Sequence, residues 1–227
     1  EIGGGNKMKP ILFNSEMVRA IFEGKTQTRR VIKPQPPSSA DKMIILGIDE
    51  KEPDFKSKTR ITTAGEGGDV EIPYQIDDVI YVRETWAPCA TIDSWIDNEN
   101  KYLYKADFLE KVDWKWRPSI HMSRESARVF LKVNNVRGEQ LQDITEEDAV
   151  AEGCCSLDAF VELWDFINAE PKPQYKTVDG KKVIDHYVSY PWVDIQEIMG
   201  YKGKLLYVYG NPWVWVIEFE KINDNKI

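Results

Sequence analysis

Residues 212–220, Pro-Trp-Val-Trp-Val-Ile-Glu-Phe-Glu, constrain the fold more than any other stretch of the chain. Trp213, Trp215, Ile217 and Phe219 alternate with Val214, Val216, Glu218 and Glu220. A period of two marks a strand, because successive side chains of extended backbone point to opposite faces. A second alternation runs over 127–133, with Ala127, Val129, Leu131 and Val133 facing one way and Arg128, Phe130 and Lys132 the other. Residues 79–84 (VIYVRE), preceded by an Asp77-Asp78 turn, read as a third strand, and 102–106 as a shorter one.

Between these strands the period changes. Residues 14–24 predict a short helix with Asn14 or Ser15 as cap, an apolar stripe of Met17, Val18, Ile21 and Phe22, and Gly24 as terminator. Residues 145–153 predict a capped helix in which Asp148 answers the N-cap Thr145 and Gly153 ends it. Residues 156–168 predict a longer amphipathic helix with a stripe of Leu157, Phe160, Val161, Trp164 and Ile167. Residues 25–32 look extended, and Pro34, Pro36 and Pro37 stop them. The polar, glycine-interrupted stretch 38–68 reads as an insertion with one weak strand at 43–48, and 170–190 as a second insertion. The expected fold class is therefore α+β: a small antiparallel sheet or β-barrel with flanking helices and loop insertions. Residues 8–222 form one domain on this reading. The glycine-rich lead-in 1–7 before Met8 reads as an expression remnant.

The chemistry concentrates in Gly24-Lys25-Thr26-Gln27-Thr28-Arg29-Arg30. Seven residues hold a lysine, two hydroxyls and two guanidiniums, donors that suit phosphates and carbonyl-bearing ligands. A lysine near a threonine is also one of the few ways to activate a hydroxyl without histidine. The bland alternative is a surface strand with solvated cations.

A net charge of −8 argues against a polyanionic partner, but its distribution does not. Residues 9–34 carry a net +4, residues 114–137 a net +5, and residues 138–170 a net −10 with no lysine or arginine. A localised anion-binding face would produce that pattern, and so would ordinary solvated surfaces. Cys89, Cys154 and Cys155 are an odd set without a C-x-x-C pair, which points to a reducing, cytoplasmic setting. His121 and His186 have no ligand spacing, so neither a metal nor a cofactor is expected. No apolar run reaches membrane-span length.

Taken together, Gly24-Lys25-Thr26-x-Thr28-Arg29, the Asp78-Val79-Ile80-Tyr81-Val82 strand, Leu141-Gln142-Asp143-Ile144-Thr145-Glu146-Glu147-Asp148-Ala149 and the closing V-I-E-F strand resemble the ASCH domain family in content and order. Asp77 stands where that family usually has glycine. Arg83-Glu84-Thr85-Trp86, Trp116-Arg117-Pro118-Ser119-Ile120-His121-Met122 and Asn211-Pro212-Trp213-Val214-Trp215 resemble its longer branch, often encoded by phages or prophages. The resemblance implies a PUA-like β-barrel and a link to RNA. One branch of small proteins hydrolyses the amide of acetylcytidine, and its lysine, threonine and glutamate match Lys25, Thr28 and Glu152. Another branch has been described as ribonuclease-like.

On that resemblance Thr28 is the candidate nucleophile, Lys25 its base, and Glu152 the group that holds the lysine or protonates the leaving nitrogen. A lysine acts as base only where burial or neighbouring cations weaken its hold on a proton, whereas an ionised carboxylate beside it does the reverse. Positions three apart in a regular strand face opposite sides, so Lys25 and Thr28 converge only if the chain turns after Gly24. Arg29, Arg30, Arg83, Glu84, Trp86, Trp116, Arg117, His121 and Arg124 are the candidate RNA- or nucleoside-binding residues, the tryptophans by stacking and the cations along a phosphate track. Arg83 and Glu84 could instead pair with each other, and Trp164, Trp213 and Trp215 fit the core. The functions in play are a nucleoside amidohydrolase, a non-catalytic RNA-binding module and a ribonuclease-like enzyme. A fourth is an interaction protein whose acidic block imitates nucleic acid.

Overall fold

The computed structural model describes residues 8–36, 58–61, 68–88, 102–110, 112 and 114–222. In chain order the elements are β1 (Lys9–Leu12), α1 (Ser15–Phe22), β2 (Gln27–Val31), β3 (Lys58–Ile61), β4 (Gly68–Glu71), β5 (Val79–Arg83), β6 (Trp86–Pro88), β7 (Tyr102–Tyr104), β8 (Phe130–Gln140), α2 (Glu146–Ala151), α3 (Leu157–Asn168), β9 (Lys172–Val178), β10 (Lys181–Ser189), β11 (Gln196–Tyr201), β12 (Lys204–Tyr209) and β13 (Trp213–Ile222). The fold is α+β, rich in sheet, with three α-helices among the described residues. The strand expected at 43–48, residues 1–7 and Cys89 lie outside the described residues. The chain divides into two compact units, one of residues 1–26, 74–135 and 218–227, the other of residues 27–73 and 136–217.

In the first unit the strand order is β1-β5-β8-β13. β1 pairs in parallel with β5, Lys9 opposite Ile80, and β5 is antiparallel to β8, Tyr81 opposite Phe130. β1 carries only four residues, one a proline, too few for a period to register in the sequence. The Asn14 side chain caps α1 by accepting from the Met17 N–H at 2.7 Å. Val18 and Ile21 bury the inner stripe of this helix, while Phe22 stays 49% exposed. Gly24 ends the helix at φ +111°, a conformation that strains any residue with a Cβ. Asp77 has φ +69°, which aspartate tolerates better than most residues. The 127–133 alternation places Val129, Leu131 and Val133 in the core as expected, but Phe130 is buried too. The strand begins later and runs on to Gln140.

In the second unit the order is β8-β13-β2. Ile32 N–H donates to the Trp213 carbonyl at 3.0 Å, and where the same two strands belong to the first unit Phe219 N–H donates to the Thr26 carbonyl at 2.8 Å. The two bonds are equally spaced on both strands, so the antiparallel register of β2 on β13 has no bulge. Val31 thus sits opposite Val214 and Arg29 opposite Val216 on one face, and Thr28 opposite Ile217 and Arg30 opposite Trp215 on the other. The Val214 and Val216 face carries the core of this unit, closed by Leu141, Ile144, Ala149, Phe160 and Trp164. Burying a ring such as Phe160 stabilises by about 2–3 kcal/mol. α2 has the expected capping box of Thr145 and Asp148, and Ser156 caps α3.

Two expectations are corrected. Residues 170–190 are not loop: they carry β9 and β10 of a four-stranded sheet of order β11-β12-β10-β9. Its hairpins turn at Asp179-Gly180 and Lys202-Gly203, where all four residues have positive φ, the tight turn that matches strand twist. The sheets are also not purely antiparallel, since β1 with β5 and β10 with β12 pair in parallel.

Candidate functional site

Arg29 is the electrostatic centre of the second unit. Its guanidinium, 1% exposed, donates to Glu139 at 2.6 Å, Asp148 at 3.0 Å and Glu152 at 3.2 Å. Gln27, on the same face of β2, donates to Asp148 at 3.1 Å, and Arg137 donates to Glu139 at 3.0 Å and Asp148 at 3.4 Å. The Phe160 ring lies 5.8 Å beneath the Arg29 guanidinium carbon. Three carboxylates around one buried cation are stable only because each is hydrogen-bonded to it. Burial pushes the Asp148 carboxyl up, but the hydrogen bond from Gln27 and the charge of Arg29 outweigh it and hold the group below the usual carboxylate range. The basic string and the acidic block of the sequence therefore neutralise each other in part, which accounts for some of the charge segregation without any external anion.

Lys25, Gln27, Thr28 and Arg29 are all buried and Arg30 is half-buried, so the string is not a solvated surface strand. The chain does turn after Gly24: Lys25 N–H returns to the Ala20 carbonyl at 2.8 Å, before β2 begins. Lys25 belongs to the first unit and Thr28 and Glu152 to the second. Glu152 is not an exposed acid. It is the C-cap of α2, buried and bonded to Arg29. Thr28 is completely buried, and its hydroxyl oxygen has no hydrogen-bond partner among the described residues. By strand alternation it lies on the face of β2 opposite Arg29, and hence opposite the Glu152 cluster. Arg29 and Glu152 are brought together; Thr28 and Glu152 are not.

In the first unit the candidates distribute differently. Glu84, 1% exposed, does not pair with Arg83. It accepts two hydrogen bonds from Arg128, at 2.9 and 3.1 Å, and Arg128 reaches Asp107 at 2.8 Å. Arg128 lies 4.0 Å over the Tyr104 ring and 5.3 Å over Phe22. Burial pushes the Glu84 carboxyl above its ordinary value, a rise that the hydrogen bond and charge of Arg128 reduce without cancelling. Arg83 donates to the Tyr81 hydroxyl at 2.9 Å and to the Ile120 carbonyl at 3.3 Å. Trp86 is core, with Arg117 over its ring at 5.2 Å, so that face is taken and no base can stack there. Trp116 is half-buried among Phe108 and Trp114 at 5.8 and 5.7 Å. His121 and Arg124 sit exposed on short 3-10 turns.

Arg128, which reads from the sequence as a phosphate-track or surface cation, pairs with Glu84 instead, and sequence reasoning missed Gln27, Arg137, Glu139 and Asp148 as members of these networks. Asp148 was legible only as a cap. No local signal announces the rest, because Arg29 meets its partners across 110 to 123 residues of chain. Among the described residues, no group of histidine, cysteine or acidic side chains is placed to hold a metal ion, and no helix is long and apolar enough to cross a membrane. No protein-family model, curated protein or solved structure matches this chain.

Proposed function

We propose that the protein is an ASCH-type, PUA-like β-barrel protein of the cytoplasm that binds RNA or a modified nucleoside through the Lys25–Arg30 string. The observation that carries this reading is the Thr28 hydroxyl. A buried hydroxyl without a partner costs about 1–3 kcal/mol, and it sits in the residue type and position that the family resemblance makes functional. Burial of Gln27 and Arg29 in the same strand supports a built polar segment over a solvated strand. The odd set of three cysteines without a C-x-x-C pair supports a reducing compartment.

Hydrolysis of a nucleobase amide is the second reading, favoured by the same hydroxyl acting as nucleophile. Against it stands Glu152, whose carboxylate is engaged by Arg29 on the other face of β2. Titrating a panel of modified nucleosides, acetylcytidine among them, into wild type and Thr28→Ala by calorimetry tests the first reading. Binding that is unchanged by Thr28→Ala, or absent throughout the panel, overturns it. Loss of acetylcytidine absorbance above a Lys25→Ala control establishes the second.

A further inference from the structure

One face of the four-stranded sheet carries a row of aromatic rings that the Lys25–Arg30 reading does not use. Register places Tyr207 beside Val188 and Ile198, and Val188 beside Lys172, so all four share a face. Along that face the ring of His186 meets Tyr207 edge-on at 5.1 Å. Tyr207 and Tyr209 lie 6.4 Å apart with planes 13° from parallel, and Tyr209 and Tyr190 lie 5.7 Å apart at 20°. Hydrogen-bonded strands hold these rings in a fixed line, so little rotamer freedom is left to lose on binding. The line is closed at its Val188 and Tyr190 end, where both side chains are buried, and open toward Ile198 and Leu205, 65% and 50% exposed on the same face, with His186, Tyr207 and Tyr209 half-buried between.

The charge on this face is positive. Lys172, Lys176 and Lys181 project from it by the same register, and Lys33 stands 5.5 Å over the Tyr190 ring. Asp185, at the bulge of β10, is bonded to Lys176 and His186. Lys172 holds its proton less tightly than a free lysine, first through burial and then through the nearby Lys33 ammonium. The Lys172 ammonium also donates to the Ile167 carbonyl and feels the Glu170 carboxylate, and with Lys33 beside it the end of the aromatic row keeps a net positive charge that attracts an anion. Gln174 and Gln196 add neutral donors and acceptors on the same side.

We propose that the His186–Tyr207–Tyr209 face of this sheet binds single-stranded RNA, with bases stacked on the tyrosines, phosphates along the lysines and ribose hydroxyls at the glutamines. Each part follows from general chemistry. Bases stack on aromatic platforms without needing a sequence code, lysines displace counterions from phosphates, and only RNA offers a 2′-hydroxyl as donor and acceptor. This surface is separate from the Lys25–Arg30 string and stands or falls independently of it.

The test is anisotropy of a labelled oligouridine titrated with the full chain and its variants. Tyr207→Ala/Tyr209→Ala should weaken binding by about ten-fold or more, and Tyr207→Phe/Tyr209→Phe should leave it near wild type. Lys181→Ala should flatten the slope of log affinity on log salt by about 0.7. Should the alanine pair fail to fold, Ile198→Glu, at a position already exposed, must weaken binding in its place. Wild-type affinity in the folded alanine pair or in Ile198→Glu overturns the proposal. Equal affinity for oligodeoxythymidine overturns the choice of RNA. A wild-type dimer that the alanine pair turns into a monomer in sedimentation makes a second copy the occupant and overturns it as well.

Discussion

Replacing Arg128 with methionine isolates the energetics of the buried Glu84 carboxylate. Methionine keeps an unbranched stem against the Tyr104 and Phe22 rings but removes both hydrogen bonds to Glu84. Glu84, 1% exposed, must then stay ionised without a partner or take up a proton. Breaking a buried pair in this way costs about 3–5 kcal/mol. Protonation sets a ceiling on the electrostatic part. Raising a carboxyl from its ordinary 4.5 to neutrality at pH 7 costs about 3.4 kcal/mol at roughly 1.36 kcal/mol per unit.

The sign follows from linkage. In Arg128→Met the folded state binds a proton that the unfolded state releases above 4.5, so stability falls as pH rises from there to the folded pKa. The penalty relative to wild type should therefore be about 3 kcal/mol at pH 7 and should shrink by roughly 1.4 kcal/mol per unit on acidification, until the raised carboxyl of wild-type Glu84 takes up its own proton. Glu84→Gln/Arg128→Met should be more stable than Arg128→Met at pH 7, because the buried charge has gone. Urea unfolding of wild type and the two variants at pH 7 and pH 5 measures all three quantities. A penalty below about 1 kcal/mol at pH 7, one that does not change with pH, or a double variant no better than the single one would refute this account of the pair.

Thr145→Ala removes half of the capping box on α2 and should cost about 1 kcal/mol in urea unfolding; no loss would mean the cap contributes nothing. Gly210→Ala should cost about 3 kcal/mol or prevent folding, since its Cβ would lie 1.9 Å from the Val193 carbonyl oxygen, and a wild-type melting temperature would contradict this. Tyr104 and Tyr190 are pushed up to about 12, chiefly by burial. The stability they contribute is complete below pH 10 and is lost as pH rises through about 12. Tyrosinate absorbance should accordingly show a late ionising phase, diminished in Tyr104→Phe; ionisation of all tyrosines together near 10 would exclude it.

Elements with a local cause were legible in the sequence. Asn14, Thr145 with Asp148, and Ser156 start helices with their own side chains, and the Phe160–Trp164 stripe and the β13 alternation are written in adjacent residues. The β9–β12 sheet was obscured because β9 and β11 are mostly exposed and carry no apolar period, although Asp179-Gly180 was a hairpin signal in plain view. The buried string at Lys25–Arg29 was located by residue type alone. Only the tertiary structure decided what each member does. Gln27 and Arg29 turn to three carboxylates supplied by β8 and α2, while Thr28 turns to the opposite face with its hydroxyl unmet. Caps and periods are contacts between near neighbours, which a chain specifies as it is read. Ion pairs and orphaned hydroxyls depend on which distant strands meet and in what register, and a one-residue change in that register would exchange Thr28 and Arg29 between the two faces.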